Sequence, residues 1–401
     1  MARIGLAGGT YQSQSPNASA DFTMNFYPEF MESENPKSRI VLYPTPGLSL
    51  FTALTGASVR GIIKINARCF AVAGTTLYEI KGDGTNVTLG TVVNDGLPAS
   101  MVASTIELLI ASGGTVYVLT LATNVLTTIP SGTLTNVSVV VYIDGFFLAL
   151  NKGTQIFRIS APLDGTSWPG GQVIQVSVFP DNVVSMIDDH RELWLFGVTQ
   201  SVVYSNTGSA AIFDVINGSV LQTGSGAVFS VANLDNTIFW LGGDEKGPAM
   251  VWRAAGYTPQ RVSNHAIELA IESYTTTSDA IAYPYVAQGH AFYVLYFPTA
   301  DKTWVYDVAT DMWAERGFLK AGQFEAHHSR CHTHVFNKHL VGDWDSGNVY
   351  EMSIDHLDDN GSPLRRVRRA PHLSEENKWA FHSFLQVDVE TGLGPTPPLL
   401  D

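Results

Sequence analysis

Cysteine and charge are both scarce in this 401-residue chain. Its two cysteines, Cys69 and Cys331, lie far apart, so the sequence predicts neither a disulfide framework nor a CxxC motif, and a reducing compartment of assembly is expected. The most apolar stretch, residues 137–150, is interrupted by Asp144 and Gly145 and predicts a hairpin rather than a membrane span. The first ten residues, MARIGLAGGT, lack the apolar core of a signal peptide.

Positive charge is also in short supply. The chain has 23 Lys and Arg against 37 Asp and Glu, a formal charge of −14, which argues against non-specific binding of nucleic acid. It does not prevent DNA from passing nearby, because an acidic surface keeps DNA from sticking. The chain has no P-loop, no GxSxG elbow and no HExxH motif, so the sequence predicts no enzyme of those classes.

Turn-forming and strand-forming residues are abundant instead. There are 36 glycines and 19 prolines, and Val, Ile, Thr, Tyr and Phe are plentiful. Short apolar segments recur along the chain, and each is followed by a second strand-like segment. Their central positions are Phe70, Leu108, Phe147, Trp194, Phe239, Tyr293 and Leu340, separated by 38, 39, 47, 45, 54 and 47 residues.

A period of roughly 40 to 50 residues with about four strands per unit is typical of a β-propeller. The unit AFYVLYFPTADKTWVYDVATDMWAERG, residues 291–317, illustrates the pattern. Tyr293 and Leu295 alternate with Phe292 and Val294, and both sets are apolar because both faces of a stacked sheet are buried. We therefore predict an all-β fold, a propeller of six or seven blades of about four antiparallel strands, with an N-terminal extended arm and a short C-terminal β extension.

Three regions follow from where the repeat begins and ends: an arm at residues 1–55, the propeller at 56–357, and a C-terminal extension with a Pro-rich tail at 358–401. The extension contains an alternating segment, SFLQVDVE, which predicts a strand. The arm combines Pro turns with aromatic residues, which suits an interface with another subunit or an adaptor. It could equally close the propeller by lending a strand to the last blade. The candidate interface residues are Asn25, Phe26, Tyr27, Pro28, Glu29, Tyr43, Pro46 and Gly47.

The segment RRVRR is the densest positive run in the chain. Its members are Arg365, Arg366, Arg368 and Arg369, so a strand there would carry charge on both faces. Two interpretations stay open: contact with DNA phosphates or an acidic partner, and a solvated strand paired with nearby carboxylates such as Glu375 and Glu376.

Several other patterns suggest sites, but each also has an ordinary structural explanation. Residues 327–339 hold five histidines and Cys331, yet the spacing matches no closed zinc site, and we predict no bound metal or cofactor. Asp343 and Asp345 form a D-x-D-x-G pattern that favours a turn over a catalytic carboxylate pair. The segment APLDGTSW, residues 161–168, resembles the aspartate-box turn of sialidase-like propellers but occurs once.

Carbohydrate binding is the alternative function that the residues leave open. Aromatic side chains could stack on sugars in a glycosidase-like or receptor-binding propeller, although these residues lie in apolar strands where burial in the core is expected. The candidates are Trp194, Trp240, Trp304 and Trp313. A cellular kelch-like adaptor is a third interpretation, but only the unit around TWVYDVATDMWAERG resembles a kelch repeat.

Longer strings give the chain a specific resemblance. They include GGTYQSQSPNASADFTMNFYPE, LYPTPGLSLF, ELWLFG, GSGAVFSVANLDNTIFWLGGDEKG, VWRAAGYTPQRVSNHAIE and VGDWDSGNVYEM. In these strings and in their order the chain resembles the packaged-DNA stabilisation proteins, or tail hub and nozzle proteins, of short-tailed bacteriophages. The resemblance covers nearly the whole chain.

The resemblance implies a structural virion protein of the tail, assembled in the host cytoplasm, and no enzyme. Such proteins form a homo-oligomeric ring, usually a hexamer, below the portal and its adaptor protein. The ring extends the channel for the packaged double-stranded DNA and docks a distal needle, tailspike or fibre. It implies no membrane partner.

Overall fold

The computed structural model describes residues 5–34, 36, 38–209, 211–244, 247–370, 384, 386, 387 and 389. The first strands form the arm: β1 Tyr11–Gln12, β2 Ala20–Met24, β3 Phe26–Phe30, β4 Ile40–Pro44 and β5 Gly47–Ala53. Strands β3 and β4 pair as an antiparallel hairpin. Of the predicted SFLQVDVE strand, residues 384, 386, 387 and 389 are described and none of them is in a strand, whereas its other residues and the Pro-rich tail lie outside the described residues.

Five four-stranded antiparallel sheets follow in chain order. Blade 1 contains β6 Val59–Ile65, β7 Arg68–Ala73, β8 Thr76–Ile80 and β9 Asn86–Thr91. Blade 2 contains β10 Ser100–Ala103, β11 Glu107–Ser112, β12 Thr115–Thr120 and β13 Val125–Thr128. Blade 3 contains β14 Val137–Ile143, β15 Phe146–Asn151, β16 Ile156–Ile159 and β17 Val173–Gln175. Blade 4 contains β18 Ser185–Asp189, β19 Glu192–Phe196, β20 Ser201–Asn206 and β21 Phe213–Val215. Blade 5 contains β22 Ala232–Leu234, β23 Thr237–Asp244, β24 Gly247–Ala255 and β25 Thr258–Arg261.

Helix α1, His265–Glu272, leads into the remaining sheets, and the side chain of Asn264 caps its first turn. Blade 6 contains β26 Ile281–Ala287, β27 His290–Phe297, β28 Lys302–Asp307 and β29 Met312–Lys320. The next strands are β30 Gln323–Ala326, β31 Ser329–Val335, β32 Lys338–Asp343 and β33 Asn348–Ser353. Short strands β34 Asp358–Asp359, β35 Ser362–Pro363 and β36 Val367–Arg369 end the described sheet structure. Within the described ranges, no helix has both the length and the apolar character needed to span a membrane.

The propeller closes through a composite sheet, which we call the closing blade. Strands β31, β32 and β33 come from the end of the repeat, and β5 from the arm pairs antiparallel with β33. The predicted all-β propeller is therefore confirmed: six blades each use four consecutive strands, and the arm contributes the last strand of the closing blade. Each of the seven repeat centres occupies the second strand of a different blade, from Phe70 in β7 to Leu340 in β32.

Blade-to-blade packing explains why the strands are apolar on both faces. In β27, Tyr293 and Leu295 pack in a cluster with blade 5, whereas Phe292 and Val294 pack in a second cluster with the closing blade. Such a buried cluster lies between every pair of neighbouring blades, including the closing blade and blade 1. Burial on both faces gives each sheet the core that it could not form alone.

Tight hairpin turns allow the strands to be this short. In the turn between β14 and β15, Asp144 has φ of 50° and Gly145 has φ of 87°. Asp235 and Asn236 take φ values of 51° and 58° between β22 and β23. Two consecutive residues with positive φ match the twist of a two-residue hairpin, which is why Asp, Asn and Gly mark these positions.

Candidate functional site

The arm residue Asn25 joins three distant parts of the chain. It is fully buried and takes a left-handed φ of 57° between β2 and β3. Its Nδ2 donates to the carbonyl oxygens of Gly317, at 2.9 Å, and Arg365, at 2.8 Å. Its Oδ1 accepts from the backbone N–H of Gly317 at 3.0 Å. Asn25 therefore fastens the arm to blade 6 and to the C-terminal extension of the same subunit.

Tyr27 packs inward from the hairpin. Its ring lies 4.9 Å from that of His290 and 5.5 Å from that of Phe292, both in edge-to-face geometry, and 5.8 Å from that of Tyr43. Burial, followed by the nearby Glu29 carboxylate, raises the pKa of Tyr27 to about 12. The phenol therefore stays neutral and serves the core between blade 6 and the closing blade.

A polar chain continues from the hairpin into blade 6. The Nδ1 atom of His290 lies 2.7 Å from Oδ2 of Asp307, and its Nε2 lies 3.7 Å from Oε2 of Glu29. The hydroxyl of Thr310 donates to the same Asp307 oxygen at 2.9 Å. His290 and Asp307 are almost completely buried, so the His–Asp pair has no open position beside it for a substrate. This arrangement anchors Glu29, which is half-buried, to the blade.

Two aromatic side chains of the hairpin are exposed, one on each of its faces. Phe30 and Tyr43 are 44% and 37% exposed, whereas Pro28 is buried and Phe26 is half-buried. In the described part of the chain, β3 and β4 pair with each other and with no third strand. The hairpin thus presents two aromatic side chains next to free strand edges, which are the features that a second chain could bind.

Pro46 and Gly47 lie inside the subunit. Both are buried, and Gly47 begins the β5 strand that completes the closing blade. A Cβ atom at Gly47 would lie 2.4 Å from the carbonyl oxygens of His356 and Asp358, so only glycine fits between these two backbone segments. Among the eight candidate interface residues, the buried ones therefore hold the subunit together, and Tyr43 is the exposed one. Phe30, which the sequence did not single out, is exposed as well.

The arginine run alternates in direction, as its spacing predicts. Arg365 and Arg369 are exposed, whereas Arg366 and Arg368 are half-buried. The guanidinium of Arg368 donates to the carbonyl oxygens of Leu6, at 2.5 Å, and Gly9, at 3.0 Å. It also forms an ion pair with Asp21 at 2.6 Å. Arg368 therefore fastens the C-terminal extension to the arm, whereas Arg365 and Arg369 are exposed. The carboxylates predicted to pair with the run, Glu375 and Glu376, lie outside the described residues.

Arg366 lies near a buried carboxyl group. Burial raises the pKa of Asp359 to about 7, and the charges of His328 and Arg366 act in the opposite direction. Both carboxyl oxygens of Asp359 and the Nε of Arg366 are buried without a hydrogen-bond partner among the described residues. This pair belongs to the packing of β34 against β5 rather than to an open site.

The histidine and cysteine residues at 327–339 are scattered. His327 is buried and His334 is exposed, on different sides of β31 and its preceding turn. His332 Nε2 and His339 Nδ1 are 3.0 Å apart, and burial followed by the His339 charge lowers the pKa of His332 to about 3. Across the described ranges, no group of three or more His, Cys, Asp or Glu residues is arranged to hold a metal ion.

The two aspartate motifs form turns. Oδ1 of Asp343 accepts from the N–H of Asp345 at 3.0 Å, and Oδ2 accepts from the Ser346 hydroxyl at 2.5 Å. Oδ1 of Asp164 accepts from the N–H and the hydroxyl of Thr166, at 2.9 and 2.6 Å. In each motif, hydrogen bonds from residues two or three positions further on explain the aspartate.

The aromatic residues considered as sugar platforms are in the core. Their exposed fractions are 3%, 0%, 5% and 1% for Trp194, Trp240, Trp304 and Trp313, respectively. Burial at this level leaves no face of these rings for a ligand.

Sequence reasoning did not identify a cavity of about 840 Å³ that opens among the blades. Its lining includes Phe229, Tyr296, Arg330 and Trp344, which come from loops and strand ends in different blades. Spacing along the chain gives no signal that these residues meet. Arg330 follows the histidine pair and Trp344 lies within the D-x-D turn, so the sequence shows each of them only within another motif.

Several solved structures are similar to this chain. The WD40 domain of Neurospora crassa Pan2 is 9% identical, with a TM-score of 0.51, and 78% of this chain and 97% of that chain are covered. The extracellular domain of the putative hybrid two-component system BT4673 from B. thetaiotaomicron is 9% identical, with a TM-score of 0.51, covering 77% of this chain and 40% of that one. PorZ of Porphyromonas gingivalis is 13% identical with a TM-score of 0.46, covering 81% and 39%.

This chain thus spans about two fifths of the length of the last two structures. At these identities the likeness concerns the fold alone. No curated protein sequence matches the chain. A family model described as Bacteriophage P22 Gp10, beta-propeller, matches residues 2–356, which include the arm and the propeller. The chain therefore belongs to this phage stabilisation family, a family of structural virion proteins with a β-propeller fold.

Proposed function

We propose that this protein is a subunit of the phage tail hub or nozzle, where it assembles as a homo-oligomeric ring below the portal and its adaptor. The ring, a hexamer in the proteins that the sequence resembles, extends the DNA channel and keeps packaged DNA from leaking. Its distal side docks a needle, tailspike or fibre. The role is mechanical, and no catalytic step is assigned to any residue.

The family match over residues 2–356 carries this proposal. It covers the arm together with the propeller, and the structure joins these two parts through β5 and Asn25. A rigid subunit with its arm fixed in place suits a ring component, because assembly then requires little ordering of the chain.

The hairpin, with Tyr43 and Phe30 exposed on its opposite faces, is the contact surface that we assign to a neighbouring subunit or the adaptor. Both side chains are exposed and lie beside unpaired strand edges. Aromatic residues are enriched at protein interfaces, and a strand edge can be extended by a partner strand. Arg365 and Arg369 are a second candidate contact, with DNA phosphates or with an acidic partner surface.

The net charge of −14 supports a channel through which DNA slides. Acidic walls repel phosphates and so reduce sticking during packaging and ejection. A channel lined mainly by Arg and Lys in the assembled ring would contradict this part of the proposal, and a reconstruction of the particle at side-chain resolution would show which charge lines it.

The decisive experiment uses phage particles assembled without this protein. DNA accessible to nuclease is compared between these particles and particles complemented with the wild-type chain. Heads that fill and then lose their genome support the proposed role. Heads that keep their DNA and fail only at adsorption would overturn it and favour a distal receptor-binding role.

The contact surface is tested by complementation with Phe30→Ser and Tyr43→Ser together. The matched control is Val125→Ser, because Val125 is 56% exposed on the outer strand of blade 2. We expect the hairpin variant to fold but to enter particles poorly, and the control to be incorporated normally. Equal incorporation of both would rule out the hairpin as the assembly contact.

A further inference from the structure

The cavity of about 840 Å³ lies at one axial end of the propeller. The first strand of each blade faces the axis, since β6, β10, β14 and β18 contact one another in sequence, as do β22, β26, β31 and β6. Ser58, Ser138 and Arg330 lie just before or near the start of three of these strands, in blade 1, blade 3 and the closing blade. Because first strands in a propeller run in the same axial direction, their beginnings meet at one mouth.

Four residues that line this cavity keep polar atoms unpaired. The atoms are Ser138 Oγ, Asp279 Oδ1, Arg330 Nε and Trp344 Nε1, each buried without a hydrogen-bond partner among the described residues. Arg330 is 7% exposed. Buried polar groups are normally paired, so four exceptions around one cavity require an explanation. Together they include two nitrogen donors, one carboxylate acceptor and one hydroxyl that can do both.

The other polar atoms of Asp279 and Arg330 are held firmly. Oδ2 of Asp279 accepts from the backbone N–H of Thr299 at 2.8 Å. Arg330 donates to the hydroxyl of Ser58, at 3.2 Å, and to the carbonyl oxygen of Gly96, at 2.7 Å. These bonds fix the side chains at the cavity wall, and a small side-chain adjustment on binding would bring their unpaired atoms to a ligand.

An aromatic wall lies beside the polar atoms. The rings of Tyr296 and Trp344 are 6.2 Å apart at an angle of 30°, and Phe229 and Ile281 belong to the same apolar cluster. Such a wall with a few fixed polar groups is the usual composition of a small-ligand pocket, and the volume falls within the range of roughly 300 to 1,000 Å³ found for such pockets.

The charged side chains that line the cavity do not favour a strongly ionic ligand. Arg330 and Lys152 line the cavity together with Asp95 and Asp279. Asp95 also lies 3.4 Å from the buried guanidinium of Arg60. Cations and carboxylates are therefore both present, and a neutral molecule that donates and accepts hydrogen bonds is the best match.

We propose that this axial cavity binds a small neutral saccharide. Sugar hydroxyls donate and accept hydrogen bonds, so one ring satisfies the donors on Arg330 and Trp344 and the acceptor on Asp279. The C–H face of the sugar ring packs against the half-buried Trp344 ring, which Tyr296 supports from behind. The proposal is independent of the tail-hub role, because it concerns the purified subunit.

The test is saturation-transfer NMR and titration calorimetry on the purified full chain. The probes are neutral mono- and disaccharides, beginning with glucose, galactose, mannose and N-acetylglucosamine. We expect saturable binding of at least one probe. Trp344→Phe, which keeps a ring but loses the N–H, should weaken binding about tenfold, as expected for one lost hydrogen bond in a dry site. Asp279→Asn should weaken it as well.

Tyr257→Phe is the matched control, because Tyr257 is an exposed aromatic residue on blade 5 that does not line the cavity. It should bind the sugar like the wild-type chain. Absence of saturable binding across the panel would overturn the proposal, as would binding that Trp344→Phe and Asp279→Asn leave unchanged in folded protein. Binding of acetate or glucuronate without any neutral sugar would identify an anion site instead and would also overturn it.

Discussion

Leu48 and Met352 face each other as cross-strand neighbours in the closing blade, although one belongs to the arm and the other to the last repeat. Both are buried, at 1% and 2% exposure, in the cluster shared with blade 6. The pairing of β5 with β33 therefore joins the two ends of the propeller. Loss of this strand would expose a long sheet edge and open the ring of blades.

Gly47→Ala tests that closure directly. The added Cβ would meet the carbonyl oxygens of His356 and Asp358 at 2.4 Å, so β5 must shift away from its place. We expect a loss of about 2 to 4 kcal/mol in unfolding free energy. Scanning calorimetry of the purified chain measures this loss. Gly170→Ala is the control, since a Cβ there meets nothing within 4 Å. Equal melting temperatures for the two variants would show that β5 does not sit as described.

Asn25→Ala should destabilise the subunit by two separate effects. It removes the amide that bridges Gly317 and Arg365, and it places alanine at a φ of 57° that favours Asn or Gly. We expect a cost of about 2 to 4 kcal/mol for Asn25→Ala. Asn25→Gly tolerates the backbone angle and should cost less. Calorimetry on both variants separates the effect of the lost hydrogen bonds from that of backbone strain. A wild-type melting temperature for Asn25→Ala would show that Asn25 does not fasten the arm to blade 6.

Much of the fold could be predicted from the sequence because propeller packing leaves a local signal. Each central strand is buried on both faces, so a continuous apolar run with turn residues at its ends recurs once per blade. Phe147 and Trp194 illustrate this: both were repeat centres, and both lie in the second strand of a blade. The burial of Trp194 and Trp240 was expected for the same reason.

The candidate sites were less predictable because they depend on contacts between distant segments. The composition of the arm indicated an interface but could not show that Asn25 binds the backbone of Gly317. The spacing of the arginines predicted two faces, but it could not show that Arg368 is the member that binds Asp21. The axial cavity left no signal at all, since its lining residues come from separate loops.

Acid should destabilise the protein through its buried histidines. Burial, followed by the nearby Arg316 charge, lowers the pKa of His327 well below its ordinary value. The unfolded chain then binds protons below about pH 6.5 that the folded chain cannot, so stability is lost as pH falls through that range. His327→Gln should flatten the fall of melting temperature between pH 7 and pH 5.

His265→Gln is the control for that experiment, because the side chain of His265 is 83% exposed. It should keep the wild-type pH dependence. If His327→Gln loses stability on acidification as steeply as the wild-type chain, His327 is not the group responsible.

Asp359 should act in the opposite direction. Its pKa of about 7 lies above the value of about 3.9 in an unfolded chain, so the folded protein holds a proton that the unfolded chain has released. Its contribution to stability therefore falls as pH rises from about 4 to 7 and is constant above that range. Asp359→Asn should gain stability relative to the wild-type chain at pH 8 more than at pH 5. Thermal unfolding at the two pH values measures the difference, and an equal effect at both would contradict a raised pKa.

Substitutions in the arginine run should have two different effects, depending on whether the side chain is held by the arm or exposed. Arg368→Ala removes the ion pair with Asp21 and the bonds to Leu6 and Gly9, so we expect it to cost about 3 to 5 kcal/mol of unfolding free energy. Arg365→Ala and Arg369→Ala change exposed side chains and should stay within about 0.5 kcal/mol of the wild-type chain. If the exposed pair contacts DNA or a partner in the tail, particles carrying both exposed substitutions should retain less DNA at unchanged thermal stability. If those particles retain all of their DNA, Arg365 and Arg369 do not make the proposed contact. If the exposed substitutions lower the unfolding free energy as much as Arg368→Ala does, the two residues stabilise the fold instead.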